Sequence, residues 1–182
     1  RAPDEPVFDP AKSAGYRALL DEVADQGADL IVHTGDLLTF GADEARFRHF
    51  KDIIDAFSTD RGVPVKLVRG NHDACISDDA FDEICGSSTF RYDFQAWTFL
   101  AMDRYKDGYE HTPRYWDMHP DRLTWLQEEL RGIDPERPVV LLLHENPVGI
   151  TRFHRGEVVL HHLEQHNLRA ILFGHVQSNT VS

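Results

Sequence analysis

The stretch "VKLVRGNHDAC", residues 65–75, is an apolar run that stops abruptly on Gly70-Asn71-His72-Asp73. A β-branched, apolar segment of this length reads as a buried strand, and Gly with Asn reads as the turn that ends it. A turn needs neither an imidazole nor a carboxylate. Their presence at a strand's carboxyl end matters because ligands of open α/β sheets bind there.

Working outward, the same pattern recurs. "ADLIVHTGD", residues 28–36, ends in His33-Thr34-Gly35-Asp36; "PVVLLLHENP", residues 138–147, ends in His144-Glu145-Asn146. "RAILFGHVQ", residues 169–177, ends in Gly174-His175-Val176-Gln177. One such cluster is a turn. Four of them are expected to be gathered by a common sheet into one site. Asp, Asn and His without thiolates form a ligand set for divalent cations.

Between these strands the period changes to that of helices. Asp9-Pro10 supplies an N-cap and first-turn proline, and Tyr16, Leu19, Leu20 and Val23 share one helical face before Gly27. Phe47, Phe50, Ile54 and Phe57 mark a second helix. Pro120 opens a third, with Leu123, Leu126 and Leu130 before Gly132, and a fourth is expected over residues 156–166. "STFRYDF" and "AWTFLAMD", within residues 88–103, read as a hairpin. The chain is thus a βα alternation with a mixed sheet, expected as one domain over residues 1–182.

Composition narrows the partners. A net charge of −12, with lysine only at 12, 51, 66 and 106, argues against a broad nucleic-acid-binding face. No apolar run is long enough to span a membrane, and the default compartment is cytoplasmic. The chain opens on Arg1, so a preceding segment is expected. Cys75 and Cys85 are expected as free thiols.

In order and context, Gly35-Asp36, Gly70 to Asp73, His144 and Gly174-His175 resemble the GD, GNH[DE], H and GHxH motifs of calcineurin-like metallophosphoesterases. "TWLQEEL" and "AWTFLAMD" add to the likeness, which covers nearly the whole chain. The resemblance implies an α/β fold, a four-layer α/β/β/α sandwich. It also implies hydrolysis of phosphomonoesters or phosphodiesters by a hydroxide bridging two divalent metal ions (Mn, Fe or Zn), acting on small-molecule phosphoesters.

Carried over residue by residue, it makes Asp36 the bridging carboxylate between ions about 3.5–4 Å apart. Asn71, His144 and His175 complete the second ion's ligands. His72 protonates or stabilises the leaving oxygen, and Asp73 orients the His72 ring by accepting from its other nitrogen. Arg152 and His154, in the loop after "HENP", are placed to reach a substrate phosphate.

Two departures weaken the first metal site. The family's DxH motif is absent, and Gln177 stands where a second histidine is expected. The chain is therefore expected to lack the family's first strand and its C-terminal strands, with one ion bound as an alternative to two. The rival reading is a degenerate, non-catalytic member serving as a protein-binding or regulatory module. Of the other histidines, His162 and His166 lie four apart on the expected last helix without an acid to complete a site. His33 is expected to pack beside the site.

Overall fold

The computed structural model describes residues 10–39, 41–103, 119–146 and 156–175. Helix α1 (Pro10–Asp25) is followed by strand β1 (Ile31–His33), helix α2 (Glu44–Arg61) and strand β2 (Val65–Leu67). A single 3₁₀ turn, Asp73–Cys75, leads into α3 (Asp78–Cys85). Then come the strands β3 (Phe90–Phe94) and β4 (Trp97–Ala101), helix α4 (Pro120–Arg131), strand β5 (Val139–Leu142), helix α5 (Gly156–Leu163) and strand β6 (Leu168–Leu172).

The strands form two sheets, as a four-layer sandwich requires, although periodicity alone had grouped them in one mixed sheet. β1 and β2 pair in parallel, Ile31 opposite Val65 and His33 opposite Leu67. The second sheet runs β3-β4-β5-β6. β3 and β4 make the expected antiparallel hairpin, while β4-β5 and β5-β6 are parallel.

Alternation along the strands explains why two sheets form. Ile31, Val65 and Leu67 face a cluster with Leu20, Phe47, Phe50, Ile54, Phe57 and Phe81 of the first three helices. The alternate residues Val32 and Val68 face the other sheet, meeting Phe90, Phe99, Ala101, Val140 and Leu142. On that sheet's far side Leu100, Val139 and Leu141 pack under Leu126, Leu130, Val159 and Leu163 of α4 and α5. The order is helices, sheet, sheet, helices, the expected four-layer arrangement. Strands buried on both faces read as continuous apolar runs, as "PVVLLL" does.

The helices keep to their signals with two exceptions. Asp43 caps α2 by accepting from Arg46 N–H, and Pro120 opens α4. Leu19, placed by periodicity on the buried face of α1, is 54% exposed. The stripe that packs is Tyr16, Leu20 and Ala24, because α1 covers only one side of the cluster built on α2. α5 ends at Leu163, three residues before the expected stop. His166 N–H turns back to Leu163 O, so His162 and His166 do not share a helical face.

Both cysteines are free and half-buried, and the Cys75 thiol donates to Ala42 O at 2.9 Å. Burial pushes the Cys85 thiol up to about 12 and raises that of Cys75 as well. Since the thiolate is the reacting form, both should react with Ellman's reagent at pH 8 more than about tenfold slower in the folded chain than in denaturant. Rapid labelling of the native protein would contradict this burial.

Candidate metal centre

The carboxyl ends of β1 and β2 meet those of β5 and β6 across the seam between the sheets. Val68 N–H bonds to His33 O at 2.9 Å on one side, and Gly174 N–H to His144 O at 2.9 Å on the other. Each sheet contributes two donors, Asp36 and Asn71 from the first and His144 and His175 from the second.

Their atoms converge. His144 Nε2 lies 3.0 Å from Asn71 Oδ1, 3.3 Å from Asp36 Oδ1 and 3.2 Å from His175 Nδ1. His175 Nδ1 is 2.9 Å from the same Asn71 oxygen. Among the described residues, Asp36, His144 and His175 are the one group of three or more His, Cys, Asp or Glu that converges in this way.

The hydrogen-bond chemistry shows what belongs between them. His144 Nδ1 lies 2.8 Å from Thr34 O, a carbonyl that can only accept, so Nδ1 carries the proton and Nε2 presents a lone pair. That lone pair faces two oxygens that are also acceptors. Three acceptors crowded at about 3 Å could be satisfied by a shared cation, and this spacing suits donors lying about 2.1 Å from one ion. The residues fit a divalent metal.

Backbone strain is concentrated here. Asp36 (φ 54°) and His175 (φ 63°) adopt left-handed conformations, which for non-glycine residues cost on the order of 1–3 kcal/mol each. Hydrogen bonds hold Asp36 in place, His72 N–H donating to its Oδ1 at 3.0 Å. Glycines supply the closeness. A Cβ on Gly35 would strike the His144 ring and come within 3.0 Å of Gly70 Cα, and one on Gly70 would strike Asp36 N and Oδ1.

Asp73 has a different task from the one expected. Its buried carboxylate accepts from the backbone N–H groups of Leu37 at 2.9 Å, Leu38 at 3.3 Å and Gly70 at 2.8 Å, and not from the His72 ring. A buried carboxylate is drawn to unpaired amides, and the two donor turns offer three of them. Burial pushes the Asp73 carboxyl up to about 6 in spite of these bonds. Asp73 therefore clamps the Asp36 turn to the Asn71 turn.

His72 is half-buried beside these donors. Gln177, Arg152 and His154 lie outside the described residues. His33 packs as expected, its ring 6.2 Å from Phe50 and 6.2 Å from Tyr16, with burial lowering its pKa. His162 is hydrogen-bonded to Gln127 and takes no part in the centre. Sequence reasoning missed the Thr34 carbonyl and the amides of Leu37 and Leu38, because backbone groups leave no mark in residue identity. It also passed over Arg69, whose signal was a charge inside an apolar strand run.

A family model for calcineurin-like phosphoesterases matches residues 10–179. Among solved structures, a dimetal phosphatase from Danio rerio aligns with a TM-score of 0.62 at 16% identity, covering 90% of this chain and 71% of its own. A search of curated proteins found no match.

Proposed function

Because the chain belongs to the calcineurin-like phosphoesterase family, we propose that it hydrolyses small-molecule phosphomonoesters or phosphodiesters with two divalent ions, Mn, Fe or Zn. The observation that carries this reading is the set of Asp36, Asn71, His144 and His175 donors converging from two sheets on one point. In the proposal these four hold one ion. Asp36 Oδ2 accepts no hydrogen bond among the described residues, and Asp36 and Gln177 would serve the other ion. When bound, the ions supply positive charge to the phosphoryl oxygens and acidify water.

The chain's own groups do the rest. His72 follows the donor Asn71 directly and supplies a proton to the leaving oxygen. Asp73 keeps the two donor turns in register through three amides. Arg152 and His154 grip the phosphate. No helix of the described residues is long and apolar enough to cross a membrane.

The test is hydrolysis of bis-p-nitrophenyl phosphate and p-nitrophenyl phosphate by the full chain with Mn²⁺, with a chelator control. Turnover that the chelator abolishes is expected, and the ratio of the two rates separates diesterase from monoesterase. His72→Asn should lower turnover about 10²–10⁴-fold, the usual range for a general acid, with metal content unchanged. A folded, metal-loaded chain without turnover on either ester would instead favour the partner-binding reading.

A further inference from the structure

The donor set is split between two sheets, so its geometry is only as fixed as the spacing of those sheets. Arg69 stands at that seam. It directly precedes Gly70-Asn71, and its side chain is 1% exposed. Nη1 pairs with Asp103 Oδ2 at 3.3 Å, just past the end of β4 on the opposite sheet, and Asp103 is 0% exposed. Nη1 also pairs with Asp78 in the first turn of α3, and Nη2 donates to Ile76 O at 2.7 Å. The guanidinium lies over the Phe81 ring, 5.2 Å from its centroid.

We propose that Arg69 is a positioning residue for the metal centre: it ties the exit of β2, the start of α3 and the end of β4 together, fixing Asn71 against His144. This rests on the proposed metal-dependent reading for its affinity consequence, though the tie itself does not. Residues 70–76 leave β2, carry Asn71, His72 and Asp73, and return through the 3₁₀ turn to Ile76. Arg69 closes that loop by bonding to Ile76 O, and Asp73 clamps its inner side. The Arg69–Asp103 pair then holds this loop against the sheet that carries His144 and His175. Lysine would preserve the charge and lose the planar fork that serves three partners at once.

Two substitutions test this in the full chain. Arg69→Lys removes the fork, and Asp103→Asn is the milder cut, since it leaves the guanidinium paired with Asp78. The readouts are Co²⁺ affinity by calorimetric titration and hydrogen exchange of the Asp73 and Ile76 amides, both below the melting transition. Leu126→Ala, in the core under α4, serves as a control that lowers stability away from the site.

Arg69→Lys is expected to weaken Co²⁺ binding about tenfold or more, as changes behind metal ligands do. Asp103→Asn should weaken it severalfold. Both should speed exchange at Asp73 and Ile76, whereas Leu126→Ala should leave affinity and these amides unchanged while the chain remains folded. Folded variants with wild-type affinity and wild-type exchange would overturn the proposal. If the wild-type chain binds no Co²⁺, the metal-dependent reading fails, and the Arg69 tie is decided by exchange alone. Should Arg69→Lys not fold, Asp103→Asn decides the matter by the same two readouts.

Discussion

His144→Ala is expected to abolish metal binding and hydrolysis together, lowering turnover at least about a thousandfold. The factor follows from the several kcal/mol that a metal ion supplies to a phosphoryl transition state, since about 4 kcal/mol is three decades in rate. His144 Nε2 lies within 3.3 Å of three other donors, and no other described side chain can take that place. Truncation also leaves the Thr34 carbonyl without the ring N–H it accepts. Asn71→Ala should lose the metal as completely, because its one oxygen contacts both histidines. Metal content by plasma emission alongside turnover checks both variants. If either keeps stoichiometric metal and activity, the centre lies elsewhere.

Gly70→Ala should be nearly as damaging, although it removes no donor. The added carbon would collide with Asp36 N and Oδ1 and lie 2.9 Å from His144 Cε1. Neither neighbour can yield, since Asp36 is held by His72 N–H and His144 by the Thr34 carbonyl. Overpacking of this kind costs about 1–3 kcal/mol, or a fall in Tm of roughly 2–12 °C for a chain of this size. Loss of activity should exceed what that destabilisation explains, because relief of the clash separates two donors. Gly15→Ala makes the contrast: its Cβ meets nothing within 4 Å, and it should raise stability by about 0.5–1 kcal/mol. A Gly70→Ala protein with wild-type Tm and turnover would show that the two donor turns are less tightly packed than described.

Much of this was legible in residue order. Helix and strand alternation followed from hydrophobic period, since burial acts on each segment through its own neighbours in sequence. The run "PVVLLL" announced a strand covered on both faces, and β5 is buried at every position. Asp36, Asn71, His144 and His175, which converge in the fold, were marked by polar residues at strand ends, because residue identity already fixes which atoms could hold a cation.

The rest needed the folded chain. Pairing of β1 with β2, and of β5 with β4 and β6, decided which strands share each of the two sheets, and strand pairing joins segments whose partners no local pattern names. The Asp73 carboxylate went to three amides because the Leu37 and Gly70 turns came within reach of it. Arg69 became a strut because Asp103 and Asp78, distant in sequence, closed around its guanidinium. Sequence by itself determined which groups could bind a cation and which segments would be buried. Tertiary structure alone decided which buried partner each polar group found, because a hydrogen bond or ion pair depends on distances that long-range packing sets.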